Sequence, residues 1–249
     1  MSKTSRAPER VQEEWLRRVE AEYRSAAITQ HLVLWLIQIG ASPDLVHAGL
    51  RIVRDELAHA SMSHRTFVAA GGEGAPRLAR ETLELPRTAG APLEDDVTRV
   101  CLDVFCLGET VAVRLFKELR QRCEVPVARR VLDRVLRDEV RHRDFGWTLL
   151  GWLLSTDHGP RLRALVAAEL AGSFARLRGQ YAPAGAEEHG ALPREETRWG
   201  LMPAARYGQL LAMTFERDYA PRFARLGLDP RGPWRQAVGL AGPAGDAPT

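Results

Sequence analysis

Two six-residue stretches, RDELAH at 54–59 and RDEVRH at 137–142, decide how this chain of 249 residues is interpreted. Each contains a Glu followed three residues later by a His, a spacing that places both side chains on one face of an α-helix. The surrounding sequence has helical hydrophobic periodicity, and no alternating stretch is long enough to indicate a sheet. The sequence therefore predicts an all-α protein in which both stretches lie on main helices.

Gly and Pro breaks divide the periodic sequence into four long predicted helices. We expect them at about 9–39, 42–70, 93–122 and 126–157, with two further helices at 160–180 and 203–226. The helices form two pairs with short turns, and the Gly- and Pro-rich segment 71–92 joins the pairs. This order is typical of a four-helix bundle with one long crossover between helices two and three. We accordingly divide the chain into a bundle (1–157), a C-terminal helical extension packed on it (158–228) and a flexible tail (229–249).

Each of the four long helices has a stripe of apolar or small residues interrupted by a single Glu, which a His joins on helices two and four. The interrupting residues are Glu22, Glu56, His59, Glu109, Glu139 and His142. Burying four carboxylates without compensation would be costly, whereas two divalent cations would cancel their charge. The alternative interpretation is a set of surface ion pairs with nearby arginines, and the position on the core stripes counts against it. The sequence therefore predicts a dimetal site with six protein ligands.

The motifs around these residues resemble the ferritin-like diiron-carboxylate superfamily over roughly residues 9–155. The matching elements are Glu22 with Ser25, Asp55-Glu56-Leu57-Ala58-His59, Gly108-Glu109-Thr110 and Asp138-Glu139-Val140-Arg141-His142. They look closest to bacterial ferritin-like proteins that carry paired Asp-Glu-x-x-His motifs. The resemblance implies a ferritin-like bundle that binds two iron ions, with manganese or a mixed pair also open, and the same six residues as ligands and catalytic centre.

Residues next to the predicted ligands have weaker assignments. Asp55 and Asp138 are expected to accept the free N–H groups of the histidines across the bundle, although exposed pairing with Arg54 or Arg137 is the alternative. Cys106 lies one turn before the glutamate of the third helix. It is either close to the metal or, as we favour, a small core residue.

Small side chains beside the ligands favour oxidation of a substrate over iron storage. The residues that leave room for a substrate or for oxygen are Ser25, Ala26, Thr29 and Ala112. We expect an oxygen-activating dimetal oxidase or oxygenase that uses dioxygen and a small organic substrate. No rubredoxin-like cysteine pairs occur, so electrons come from a separate reductase or from the substrate. A ferroxidase or metal-storage protein is the first alternative, and a helical interaction module with a structural metal is the second.

Composition narrows the remaining possibilities. Of 35 cationic residues only Lys3 and Lys117 are lysines, and the 33 arginines are scattered rather than gathered into a patch, which disfavours a nucleic-acid partner. No apolar run approaches the roughly 18 residues that a membrane span needs. The polar N-terminus and three irregularly spaced cysteines favour a cytoplasmic location. The sequence leaves a homodimer open.

Overall fold

The computed structural model describes residues 6–182 and 191–239, and within these ranges every regular element is helical, which confirms the all-α prediction. The α-helices are α1 (Glu9–Gln38), α2 (Pro43–Ala69), α3 (Leu93–Val100), α4 (Glu109–Arg122), α5 (Pro126–Ser155), α6 (Gly159–Tyr181), α7 (Arg194–Thr197), α8 (Ala204–Thr214), α9 (Ala220–Arg225) and α10 (Arg231–Ala237). Two π-helical segments, Cys101–Gly108 and Phe215–Tyr219, join α3 to α4 and α8 to α9, and a 3₁₀ turn lies at Arg80–Leu83. None of the described helices combines the length and apolar character that crossing a membrane requires.

Helices α1 and α2 form a hairpin with a short turn. Gly40 follows α1 with a φ of 71°, in the left-handed region that favours glycine, and so ends the helix. Pro43 begins α2 at a position where its missing N–H is no disadvantage. Gly49 lets the helices approach closely, because a Cβ atom there would lie 2.6 Å from Cγ2 of Val33. The two helices consequently pack along their length.

Helix α5 packs against α2, α4 and the first π-helical segment. At the closest approach, a Cβ atom on Gly146 would lie 2.6 Å from the carbonyl carbon of Phe105. The ring of Phe105 also packs edge-on against Phe145, with a centroid distance of 5.2 Å. These contacts, together with the α1–α2 hairpin, enclose a common interior between α1, α2, α4 and α5.

The segment predicted as one helix over 93–122 is continuous but contains the π-helical stretch Cys101–Gly108. A π turn inserts about one extra residue, so the residues after it are rotated by about 100° about the helix axis. Ala112 and Phe116, which the heptad stripe places toward the interior, are only half-buried. The buried face of α4 keeps Glu109 and Leu119 of that stripe and adds Thr110, Val111 and Leu115.

The C-terminal helices build an aromatic cluster around Phe174 of α6. Its ring contacts those of Phe215, Tyr219, Phe223 and Trp234, at centroid distances from 5.2 to 6.3 Å. Trp234 also stacks on Phe215 at 4.5 Å. The hydroxyl of Tyr219 donates a hydrogen bond of 2.6 Å to the carbonyl of Leu107, which attaches the cluster to the first π-helical segment.

The structure differs from the predicted tail at 229–249. Helix α10 occupies Arg231–Ala237, and its Trp234 belongs to the aromatic cluster. The ring of Trp234 is partly buried, and its contacts with Phe174 and Phe215 attach this Gly- and Pro-rich segment to the C-terminal helices. Residues 240–249 of the tail, and 183–190 of the predicted extension, lie outside the described residues.

Candidate metal centre

Six buried acidic and imidazole side chains meet in the interior between α1, α2, α4 and α5. They are Glu22 of α1, Glu56 and His59 of α2, Glu109 of α4, and Glu139 and His142 of α5. They form two overlapping groups, Glu22–Glu56–His59–Glu139 and Glu56–Glu109–Glu139–His142. Within each group, one ligand atom from every residue lies within 4.8 Å of all the others. The structure thus brings the six residues predicted from the sequence into one cluster, in which Glu56 and Glu139 belong to both groups.

Each imidazole presents its Nδ1 atom to the carboxylates of the cluster. His59 Nδ1 lies 3.5 Å from Glu56 Oε2 and 3.7 Å from Glu22 Oε2. His142 Nδ1 lies 3.3 Å from Glu56 Oε1 and 3.8 Å from Glu139 Oε2. The spacing of three residues between Glu and His in each motif produces this arrangement, because it puts both side chains on the same helical face.

The Nε2 atoms of the histidines face two aspartates on the opposite helix. His59 Nε2 lies 3.1 Å from Asp138 Oδ2, and His142 Nε2 lies 3.4 Å from Asp55 Oδ2. A histidine that donates its Nε2–H to a carboxylate keeps the lone pair of Nδ1 available for an ion. Both aspartates are therefore placed to fix the tautomer and ring orientation of a histidine across the helix interface.

Four buried polar atoms of the cluster have no hydrogen-bond partner within the described residues. They are Glu56 Oε2, His59 Nδ1, Glu139 Oε2 and His142 Nδ1. Leaving such an atom unpaired costs about 1–3 kcal/mol, so four in one interior indicate a missing binding partner. Carboxylate oxygens combined with two imidazole nitrogens suit iron or manganese. The donor set and its unpaired atoms fit a pair of divalent metal ions.

Burial and neighbouring charges give the four carboxyl groups of the cluster different pKa values. Burial raises the pKa of Glu22 and Glu109, and it raises that of Glu139 most strongly, with the charge of Glu109 adding to the effect. Burial acts in the same direction on Glu56, but the two nearby histidines outweigh it and hold the pKa of Glu56 below its usual range. In the absence of metal the cluster therefore retains protons on part of its carboxyl groups.

Neighbouring carboxylates raise the pKa values of the two imidazoles. Burial alone would lower them, but the nearby carboxylates of Glu22 and Glu56 raise the pKa of His59 to about 11. Asp55 and Glu56 likewise raise the pKa of His142 to about 9. The metal-free centre thus contains imidazolium groups among its carboxylates, and an ion that binds Nδ1 must displace a proton.

The small residues predicted to leave room next to the ligands divide into two pairs. Ser25 and Ala112 line a cavity of about 400 Å³ beside the cluster. The hydroxyl of Ser25 also donates a hydrogen bond of 3.1 Å to Glu56 Oε1. Ala26 and Thr29 are buried in the core and do not line this cavity.

Cys106 is buried in the first π-helical segment and belongs to neither group of ligand atoms. Its Sγ lies 4.0 Å from the Sγ of Cys101, which in turn donates to the carbonyl of Gly146 at 3.3 Å. Burial raises the pKa of the Cys106 thiol well above its usual value. The structure therefore places Cys106 among core residues as a neutral thiol.

Two arginines of α5 complete the surroundings of the centre, and sequence analysis did not identify them. Arg134 and Arg141 each form ion pairs with both Asp55 and Asp138, including contacts of 3.1 Å and 3.0 Å to Asp55. They occupy the place that sequence analysis considered for Arg54 and Arg137. The helical spacing could have identified both arginines as partners of Asp138. Arg134 lies four residues before Asp138 and Arg141 lies three residues after it, so both lie on the same helical face as the aspartate.

No family model matches this chain, and neither a curated protein nor a solved structure does so. The functional interpretation therefore depends on the geometry of the centre itself.

Proposed function

We propose that this chain is a ferritin-like diiron-carboxylate protein whose α1, α2, α3–α4 and α5 segments form the four-helix bundle. The proposed ligands of the two iron ions are Glu22, Glu56, His59, Glu109, Glu139 and His142. The observation that supports this most strongly is the pair of overlapping ligand groups whose buried nitrogen and oxygen atoms lack partners among the described residues. Manganese, alone or paired with iron, is compatible with the same ligands.

The surrounding residues have distinct roles in this proposal. Glu56 and Glu139 contribute to both ligand groups and are the residues suited to hold two ions together. Asp55 and Asp138 orient the two imidazoles through Nε2. Arg134 balances the charge of these aspartates on the outer side, so the inner carboxylates remain available to the ions.

The proposed reaction is oxidation of a small organic substrate with dioxygen. When bound, two ferrous ions supply the electrons that reduce dioxygen, while the protein controls access and orientation. The cavity beside Glu109 supports substrate oxidation, because a proposed ligand lines it and most of its lining surface is apolar. At about 400 Å³ it lies within the range of small-molecule sites. A separate reductase, or the substrate itself, would provide further electrons.

Iron turnover distinguishes this proposal from storage or a purely structural metal. Metal-free protein is supplied anaerobically with excess ferrous iron and exposed to air, and oxygen consumption and protein-bound iron are then measured. We expect oxygen consumption with retention of about two iron ions per chain. Accumulation of tens of ferric ions per chain would instead identify a storage protein. A loaded site that does not react with oxygen, with or without candidate substrates, would identify a structural metal.

This experiment is repeated with a variant of a proposed ligand and with a matched control variant. Glu56→Ala removes a carboxylate that both ligand groups share and should abolish iron retention and oxygen consumption. Glu13→Ala removes an exposed carboxylate from α1 and should leave both unchanged. Equal behaviour of the two variants would contradict the assignment of the site.

A further inference from the structure

The cavity beside Glu109 has an apolar wall formed by four helical segments. Ile28 of α1, Val104 of the first π-helical segment, Ala112 of α4 and Leu177 of α6 contribute to it. Such a surface favours a hydrocarbon group over a polar one, because contact removes apolar area from water. We call this cavity the apolar chamber.

Arg176, the cation that lines the chamber, already has partners. Arg176 donates two hydrogen bonds to Asp103 Oδ2, of 3.0 Å and 2.7 Å, and a third to Ser173 Oγ. The guanidinium is therefore neutralised by an adjacent carboxylate. An anionic group of a ligand would also meet Glu109 at the inner end of the chamber. The chamber accordingly suits an uncharged part of a ligand.

A second cavity, of about 670 Å³, adjoins the chamber and is basic. Its lining includes Arg10, Arg17, Arg18 and Arg24 of α1, against the two acidic residues Glu14 and Glu20. We call it the basic vestibule. Arginines in excess over acids favour an anion, and the planar guanidinium binds carboxylate or phosphate oxygens in pairs.

The arginines of the vestibule are available to different degrees. Arg18 is buried and donates to the carbonyl of Gly200 at 2.9 Å, so it is already engaged. Arg17 pairs with Glu14 at 3.0 Å, but 67% of its side chain is exposed. Arg24 is exposed and forms no ion pair with any residue that the structure describes. Arg17 and Arg24 are thus the cations best placed to receive an anionic ligand.

The chamber and the vestibule lie side by side. Gln180 and Tyr181, at the end of α6, line both cavities. On α1, the residues Arg17, Arg24 and Ile28 follow one another at intervals of seven and four, so they share a helical face. At 1.5 Å of rise per residue, Ile28 lies about 6 Å from Arg24 and about 16 Å from Arg17 along the helix axis. One extended molecule can therefore contact the arginines and the apolar wall together.

We propose that this groove between α1 and the C-terminal helices binds a small amphiphilic anion, with its hydrocarbon chain in the apolar chamber and its anionic group at Arg17 and Arg24. The inference rests on the proposed function and deepens it, since it assigns a substrate class to the dimetal centre. In this class the hydrocarbon chain of the substrate, rather than its anionic group, reaches Glu109. A carboxylate and a phosphate share this chemistry, and both are included in the test.

The test is calorimetric titration of the full-length, metal-free protein with decanoate, decyl phosphate, decanol and decylamine, below their aggregation concentrations. We expect one anion per chain to bind, at least about tenfold more tightly than the alcohol or the amine, as loss of a charge-assisted contact predicts. The stronger of the two anions identifies the preferred head group. Equal binding of decanol and both anions, or several anions per chain, would overturn the proposal.

Variants localise the two ends of the ligand. Arg17→Ala/Arg24→Ala should weaken anion binding by about tenfold or more and leave decanol unchanged. The matched control Arg65→Ala/Arg130→Ala removes two exposed arginines from α2 and α5 and should have no effect. Equal effects of the two double variants would overturn the assignment of the head-group site.

Chain length tests the chamber. Ala112→Leu should weaken binding of decanoate more than that of butyrate, because only the longer chain reaches the chamber. Ile28→Phe provides the same test if Ala112→Leu lowers the yield of folded protein. Equal effects on both acids would overturn the placement of the chain. The titration uses metal-free protein, so its outcome does not depend on metal uptake. If the anion does not bind although the protein takes up two metal ions, only the proposed ligand is contradicted. If the anion binds but the protein takes up no metal, the proposed function is contradicted.

Discussion

The six-residue cluster and the aromatic cluster around Phe174 are both buried, but opposite interactions hold them. The aromatic rings pack mainly edge to face, and such pairs contribute about 0.5–1.5 kcal/mol each beyond the burial of their area. The six-residue cluster instead buries four carboxyl groups and two imidazoles, and four of its polar atoms lack partners among the described residues. The first region stabilises the fold unaided, whereas the second is costly until something binds it.

This difference gives an experimental way to distinguish buried residues that stabilise the fold from buried residues proposed to bind metal. A substitution in the aromatic cluster should change stability by the same amount with and without metal. A substitution in the six-residue cluster should change metal binding far more than it changes the stability of the metal-free protein. Metal itself should stabilise the whole chain, by about 2.7 kcal/mol at a free concentration one hundred times the dissociation constant.

The largest effect is expected from Glu56, because it belongs to both ligand groups. Glu56→Ala should reduce the bound metal from about two ions per chain to fewer than one, whereas Glu22→Ala, which affects one group, should leave about one. Metal content after equilibrium dialysis measures the difference. The same loss in both variants would contradict the sharing of Glu56, and Glu13→Ala is the control for removal of an exposed glutamate.

Phe174→Ala should lower the free energy of unfolding by about 3–5 kcal/mol, because it removes the ring at the centre of the aromatic cluster. The loss should be equal in metal-loaded and metal-free protein. Denaturant titration with and without a chelator tests this expectation. Leu34→Ala, at a side chain that is 49% exposed, is the matched control and should cost far less. A loss that depends on metal would show that the two regions are coupled.

Asp138→Asn should lower metal affinity by about 10–100-fold, as expected when the partner that orients a ligating histidine is weakened. The cause is the loss of the carboxylate that accepts from Nε2 of His59 and binds Arg134. Competition with a chromophoric chelator measures the affinity. Asp133→Asn, which affects only the exposed pair with Arg120, should leave it unchanged. Unchanged affinity in Asp138→Asn would remove the orienting role.

The smallest effect on stability is expected from Glu109→Gln. Burial raises the pKa of Glu109, so its charged form is disfavoured without metal, and an amide replaces a group of similar shape. The free energy of unfolding of the metal-free protein should change by less than about 1 kcal/mol, while metal binding weakens. Chemical denaturation in the presence of a chelator tests the first part. A loss of several kcal/mol would mean that a charged Glu109 stabilises the metal-free fold.

The positions of the two Glu–His pairs were predictable because the regular helical period decides which side chains of α2 and α5 face the interior. Glu56 and His59 lie three residues apart, and Glu139 and His142 repeat the pattern. The end of α1 and the start of α2 were also predictable from local sequence. Gly40 adopts the left-handed φ that ends a helix, and Pro43 is suited to the first turn of the next one.

Features that depend on contacts between distant segments were not predictable in this way. The π-helical stretch Cys101–Gly108 contains no proline, its glycine is its last residue, and it packs where Gly146 of α5 permits close approach. The roles of Arg134 and Arg141 depend on the position of Asp55 on another helix. The order of α10 likewise depends on the aromatic rings that receive Trp234.

The most direct test of the central claim is anomalous scattering at the iron and manganese absorption edges from crystals of protein purified without added metal. The account predicts two peaks per chain, about 3.5–4 Å apart, with Glu56 and Glu139 bound to both and one histidine bound to each. The energies at which the peaks appear identify the metals. A single peak, or two peaks located away from these side chains, would contradict a dimetal centre at this site.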